Sequence, residues 1–299
     1  MNASVKLLER VLPASVHLRV EIPADHPSAT ILGSERAGSG TVVDASGLVL
    51  TAHYLILGAA RIEVTLADGT TLIGAVAAHD FASGIALVKV DASQLPAISL
   101  TPSATVSPGA DIFLVAAGTD NARRVSTGSV MAIEPFDAYW EYCLDHAILS
   151  TAVSPGLGGG AMFDALGRMI GVVSLELNQI GRSTLAIPAE HFLDHREELL
   201  RHGRRVSRPP RAWAGLFCYS LREHIVIAGI LPGTPAEAAG LNAGDVVVTL
   251  DGRLIGSRRA LYEQLWSHRP GETLACTVIR DGKALHLRVE TGNAETFFG

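Results

Sequence analysis

The sequence predicts a mainly β protein in two parts: an all-β barrel or sandwich, then a smaller α+β domain. Three observations carry this. From Val16 to Ile187, short apolar runs are divided by turn residues, which argues against alternating strand and helix units. Asp68-Gly69 separates two such runs, Arg61 to Leu66 and Thr70 to Ala78, and both turn residues tolerate positive φ. Gly203 to Arg211 is rich in Arg and Pro, a linker composition that sets the domain boundary. The 299 residues, nearly half of them apolar, suffice for two domains with their own cores.

In chain order, Met1 to Val20 lacks a long apolar run, because Lys6, Glu9 and Arg10 interrupt it. No stretch is long and apolar enough for a membrane-spanning helix. Asp44 to Gly47 and Asp164 to Gly167 punctuate two further strand pairs. Phe192, Leu193, Leu199 and Leu200 form an apolar stripe, predicting a helix from Pro188 to about Arg201. Beyond the linker, Thr234-Pro235-Ala236-Glu237 reads as a capping box opening a short helix that Gly240 ends. Ser257 to Trp266 reads as a second helix, with Leu261 and Leu265 one turn apart. Asp281-Gly282 closes a hairpin between Leu274–Ile279 and Ala284–Val289, and Thr291 to Gly299 reads as a loose tail.

Two groups of segments resemble a known family. Leu231-Pro232-Gly233-Thr234-Pro235-Ala236, Ala239-Gly240-Leu241 and Gly244-Asp245-Val246-Val247, with Gly215-Leu216 before them, look like the PDZ domain that follows HtrA proteases. Gly38-Ser39-Gly40-Thr41-Val42-Val43, Gly47-Leu48-Val49-Leu50-Thr51 and Ile85-Ala86-Leu87-Val88-Lys89-Val90 resemble the opening strands of the HtrA protease domain. Pro155-Gly156, Gly159-Gly160-Ala161 and Leu185-Ala186-Ile187-Pro188 resemble its nucleophile loop and a following strand end. The resemblance implies a trypsin-like double β-barrel over residues 1–202, a linker at 203–211, a PDZ domain at 212–292 and a tail at 293–299.

The family's catalytic positions are where the chain departs. Leu50-Thr51 and Gly58-Ala59 fix the register that puts Tyr54 at the base position. Gly84 opens Gly84-Ile85-Ala86-Leu87, where the family has aspartate. Gly158, in Ser154-Pro155-Gly156-Leu157-Gly158-Gly159-Gly160, stands at the nucleophile. Acyl transfer needs a nucleophile, a base and a group that orients the base. Glycine has no side chain to attack with, and a tyrosine with a pKa of about 10 is a poor base near neutrality. Losing the nucleophile alone lowers such a triad's rate on the order of 10⁶-fold. His53 is one residue from the base position, which points its side chain elsewhere.

A backbone nest at Gly156 and Gly158 remains as an oxyanion-hole-like feature, or as a glycine-rich turn without a ligand. By resemblance, Trp213, Ala214, Gly215 and Leu216 form the carboxylate-binding loop of the PDZ domain, and Phe217 begins its edge strand. Leu261 and Leu265 line the side-chain pocket, belong to the core, or both. Phe136, Tyr139, Trp140 and Tyr142 cluster before the glycine loop and read as a cleft rim, an interface or ordinary packing. His191 and His195 sit one turn apart but lack a third ligand, so no metal is assigned.

These readings predict a non-catalytic HtrA-like scaffold that binds proteins or peptides with exposed C-termini. The alternatives are an active endopeptidase with a relocated triad and a regulatory subunit of an active HtrA-like protease. No cofactor is expected. A net charge of −6 gives no global basic field for nucleic acid. The linker arginines are solvated or touch RNA or an acidic lipid. Resemblance also implies a homo-oligomer, a trimer. Three scattered cysteines and the N-terminal composition predict a cytoplasmic location, or a periplasmic one for a trimmed chain.

Overall fold

The structure, a computed structural model, describes residues 3–154, 158–177 and 182–299. It divides into two compact units. The first runs to Pro135 and resumes over Asp145–Ser207; the second comprises Phe136–Leu144 and Arg208–Gly299.

The first unit is two closed antiparallel barrels preceded by a helix over Ala3–Val11. The first barrel uses Ser15–Glu21 (β1), Glu35–Asp44 (β2), Leu48–Ala52 (β3), Arg61–Thr65 (β4), Thr71–Asp80 (β5) and Ile85–Val90 (β6). It closes in the order β1-β2-β3-β6-β5-β4. The second uses Asp111–Ala117 (β7), Arg123–Asp137 (β8), Cys143–Ser150 (β9), Ala161–Asp164 (β10), Met169–Leu177 (β11) and Ser183–Pro188 (β12), in the order β10-β11-β12-β9-β8-β7. Closure leaves no open sheet edge, and alternate residues point inward to fill each barrel. Leu114, Ile148, Met162 and Ile170 are fully buried in the second.

The Asp-led turns share one device. Each aspartate carboxylate accepts a backbone N–H two residues on: Ser46 at 3.0 Å, Thr70 at 2.8 Å and Leu166 at 3.0 Å. Gly47 then takes φ +94°, and a Cβ there would stand 2.5 Å from the Val90 carbonyl oxygen, so only glycine fits.

The single helix expected after β12 is two, Glu190–Leu193 and Arg196–His202. His195 interrupts them at φ −122°, ψ 11°, and its Nδ1 meets Glu198 at 2.9 Å. The break comes from the His195 backbone, which leaves the helical region, and the apolar stripe does not reveal it. The first half of the expected linker packs on this unit: the His79 N–H donates to the Gly203 carbonyl at 2.9 Å, and the Ser207 N–H to Glu198 at 2.8 Å.

The second unit carries one sheet: Leu216–Leu221 (β13), His224–Ile230 (β14), Val246–Leu250 (β15), Arg253–Leu254 (β16), Thr273–Arg280 (β17) and Lys283–Glu290 (β18). The order is β13-β14-β15-β17-β18, with β16 on β15. Its second helix spans Arg258–Trp266, capped by the Ser257 hydroxyl, which accepts the Ala260 N–H at 3.1 Å. The capping box does not form. The Thr234 hydroxyl instead donates to the Leu231 carbonyl at 2.6 Å, and Glu237 accepts the Gly233 N–H at 2.7 Å. The loose tail is corrected too. Ala294–Phe297 is helical, and Phe297 and Phe298 lie 4.8 and 5.7 Å from Trp213, because three aromatic rings bury better together than in water. Arg211 lies 4.2 Å over the Trp266 ring.

Asp245 is fully buried and held by Arg280 Nε and Nη2, at 2.6 and 2.7 Å, and by the Asn242 N–H at 2.9 Å. Burial works against its charge, but the Arg280 and Asn242 bonds win and hold its carboxyl below the usual range. Asp245→Ala would leave Arg280 without its partner and open a buried gap. Thermal or urea unfolding should show the second unit losing roughly 1–3 kcal/mol, because the buried Asn242 N–H loses its acceptor.

Candidate functional site

The positions that the HtrA resemblance assigns to catalysis converge in the first unit. Tyr54 lies on a short helix, His53–Ile56, at the end of β3. Arg36 fixes this turn by donating to the Tyr54 carbonyl at 2.7 Å and the Leu57 carbonyl at 3.0 Å. The Tyr54 hydroxyl donates to the Ser174 carbonyl at 3.0 Å. A Cβ built on Gly158 would stand 1.8 Å from that hydroxyl. Tyr54 therefore fills the space in which a side chain at 158 would sit. Burial pushes its hydroxyl up to about 12, so it stays a protonated donor at neutral pH.

The backbone beneath is tied down. The Gly158 carbonyl accepts the Ser39 N–H at 2.8 Å, the Gly159 N–H donates to Val173 at 2.7 Å, and the Val173 N–H returns to Gly160 at 2.8 Å. Gly159 sits at φ +84°, where a Cβ would stand 2.1 Å from the Ser39 carbonyl oxygen. Gly156 lies outside the described residues, so the expected nest with Gly158 is not described. Gly84 takes φ +81° and its carbonyl accepts the His53 N–H at 2.8 Å. An aspartate at 84 would be strained in that backbone.

His53 turns away from Gly158. Its ring packs on His79 and Phe81, with centroids 5.0 and 4.3 Å apart, and its Nε2 is buried without a hydrogen bond. Desolvation, helped by the nearby charges of His79 and Arg36, holds its pKa well below 6.5. His79 has a buried Nδ1 in the same condition, and burial lowers it to about 4. Asp80 is likewise spent, accepting the Ser83 hydroxyl at 2.6 Å and the Ala82 N–H at 3.1 Å.

Serine–histidine contacts exist elsewhere. His26 meets the Ser28 hydroxyl at 2.8 Å, but that fully buried hydroxyl donates to Leu57 and accepts from Arg36. In the second unit Ser267 lies 3.2 Å from His268, whose Nε2 lies 3.0 Å from Asp251. There the Ser267 hydroxyl donates to the Gln264 carbonyl at 2.7 Å, closing a helix end.

The loop expected to bind a carboxylate is occupied by a side chain of the same unit. The N–H groups of Ala214, Gly215 and Leu216 converge on one carboxylate, at 3.2, 2.7 and 3.0 Å. That carboxylate is Glu141, which sequence reasoning missed; only its place in the aromatic run Tyr139-Trp140-Glu141-Tyr142 marks it. Burial pushes its pKa up to about 7, against the opposing pull of the three N–H donors. Trp140 forms an antiparallel bridge with Phe217, so the aromatic cluster lies along β13. Trp213 is engaged differently: it exchanges two backbone hydrogen bonds with Gly292 and packs on the tail aromatics. Leu261 and Leu265 are buried among Ala214, Leu216 and Leu274 around a cavity of about 20 Å³.

Comparison with known proteins gives the setting. A family profile described as a trypsin-like peptidase domain matches residues 38–172, and one described as a PDZ domain matches 207–291. A curated protein of Halomonas elongata, named "Probable periplasmic serine endoprotease DegP-like", is 28% identical over 86% of this chain and 56% of its own. The protein of the same name from Ectopseudomonas mendocina is 27% identical over 87% and 57%. The chain thus spans little more than half the length of these relatives. Among solved structures, an HtrA-type protease AlgW with tripeptide aligns over 98% and 97% of the chains, with TM-score 0.60 and 25% identity. A serine endoprotease from Yersinia pestis aligns over 98% of both, with TM-score 0.58 and 22% identity.

The relatives' names overturn the expectation of a cytoplasmic location, since they read "Probable periplasmic". The thiol argument fails for a physical reason. Cys143, Cys218 and Cys276 are free but buried. Burial pushes the latter two up to about 12 and 11, so they are inert in either compartment.

Two outcomes follow for the first unit. Gly158→Ser alone forces the new side chain into Tyr54 and should lower stability by roughly 1–3 kcal/mol. Adding Tyr54→His should recover most of that loss in urea unfolding. His53 and His79 have folded pKa values below the unfolded 6.5, so their contribution is complete above about 6.5 and fades as pH falls toward 4. A melting temperature that declines over that window, less steeply in His79→Gln, is the expected reading.

Proposed function

We propose that this HtrA/DegP-like chain, a trypsin fold with a C-terminal PDZ domain, is a non-catalytic pseudoprotease of the periplasm. It binds protein segments with exposed C-termini through its PDZ loop. The observation that carries this reading is the Tyr54 hydroxyl within 1.8 Å of the Cβ position of Gly158. Hydrolysis needs an attacking side chain and a base that accepts its proton. Glycine supplies no nucleophile, and Tyr54, held protonated and donating to Ser174, supplies no base. The occupied space also leaves no room for a side chain at 158.

Peptide capture is supported by the three convergent N–H groups at Ala214, Gly215 and Leu216, since such nests bind terminal carboxylates in strand-addition complexes. The AlgW structure with a bound tripeptide supports the same reading by likeness.

The competing reading is an active peptidase, and the Ser267–His268–Asp251 string is its best support. A fluorophosphonate probe separates the two. The expected result is a folded protein without a labelled serine and without hydrolysis of casein. Labelling at Ser267, abolished by Ser267→Ala, would overturn the pseudoprotease. The revertant Tyr54→His, Gly84→Asp, Gly158→Ser should regain only weak hydrolysis, because residue 84 keeps its left-handed backbone.

A further inference from the structure

The second unit is built from two separate stretches of the chain. The segment Phe136–Leu144 belongs to this unit although it lies between β8 and β9 in sequence. Trp140 pairs antiparallel with Phe217, and the Cys218 N–H donates to the Tyr139 carbonyl at 2.6 Å. The segment thus extends the sheet at β13, whose only sheet neighbour among the described strands is β14. At Glu141 the run ends: the Tyr142 N–H turns back to the Trp140 carbonyl at 2.6 Å. The Glu141 carboxylate is then delivered to the N–H groups of 214, 215 and 216.

Strand addition, antiparallel direction and a carboxylate at the end of the run are the three elements of C-terminal peptide capture. We propose that Phe136–Leu144 is an internal ligand of the PDZ groove, with the Glu141 side chain standing in for a terminal carboxylate, so that an external C-terminus must displace it. This rests on the reading above that the groove takes exposed C-termini.

The remaining contacts describe a latch. The Tyr262 hydroxyl donates to the carbonyls of Ala138 and Tyr139, at 3.1 and 3.0 Å. Arg258 pairs with Asp137 at 2.8 Å, and Arg259 donates to the Leu144 carbonyl at 2.8 Å. Cys143 joins the apolar cluster of Leu216, Leu261 and Leu265. The cavity left there, about 20 Å³, has room for about one water molecule and not for a ligand side chain. The groove is therefore filled at both ends, and its occupant is covalently attached. A groove open a tenth of the time binds an outside peptide about tenfold more weakly than one always open.

The test uses the full chain and the hexapeptide fluorescein-Phe-Asp-Ala-Tyr-Trp-Val, which repeats the segment's approach and ends in a free carboxylate, beside its C-terminal amide. Anisotropy is measured with wild type, Glu141→Gln and Glu141→Ala, and amide exchange is followed at Ala214, Gly215 and Leu216. The expected result is that Glu141→Ala binds the free acid at least about tenfold more tightly than wild type, and the amide weakly throughout. The three N–H groups should be protected in peptide-free wild type and exchange fast in Glu141→Ala until peptide is added. Should Glu141→Ala fail to fold, Glu141→Gln, which keeps the side-chain volume, is expected to show the same direction. Equal affinity in wild type and variants, with fast exchange at 214–216 in wild type, would overturn the internal ligand and leave the C-terminal binding site standing. No binding of the free acid by a folded variant with exchanging loop amides would overturn the binding site and the latch with it.

Discussion

The close passage of backbone at residues 158–160 is the constraint on which the first unit depends. At each position a Cβ would stand within 2.5 Å of another atom: the Tyr54 hydroxyl, the Ser39 carbonyl and the Val115 carbonyl. Three successive glycines let the chain through, and their backbone groups bond Ser39 and Val173 on the way. Tyr54 completes the arrangement from the far side. The nucleophile position and the base position are thus coupled by volume. A side chain at 158 and a tyrosine at 54 exclude each other, so the two departures from the protease pattern form one packed unit.

His53 shows the same logic for the position beside the base. With Tyr54 aimed at Gly158, the preceding residue faces the pocket of His79 and Phe81. The price of that packing is two shielded imidazole nitrogens without hydrogen-bond partners. Both rings stay neutral because burial disfavours their charge.

The second unit reuses a chemical equivalence. Backbone N–H groups that converge on a carboxylate do not distinguish a main-chain terminus from a glutamate side chain. Glu141 meets three such N–H donors, and burial still pushes its pKa up to about 7 against their pull. In each unit a side chain from far along the sequence fills the place: Tyr54 over Gly158 in one, Glu141 at Gly215 in the other.

By itself the sequence determined the strand-rich architecture, because its turns are local. Aspartate and glycine at fixed offsets set the hairpins at Asp44, Asp68 and Asp164. The sequence's resemblance to PDZ domains pointed to Ala214–Leu216, where the structure shows three N–H groups on one carboxylate. The sequence did not determine the break at His195, where the backbone leaves the helical region within an apolar stripe, or the tail helix, which forms against Trp213. Nor did it place the aromatic run with the second unit. Glu141 and the amides it binds are 73 to 75 residues apart, and nothing local distinguishes that glutamate from a solvated one. Tyr54 and Ser174 are 120 residues apart. Contacts of that range exist only after the barrels and the sheet have closed, so the tertiary structure alone decided what fills each site.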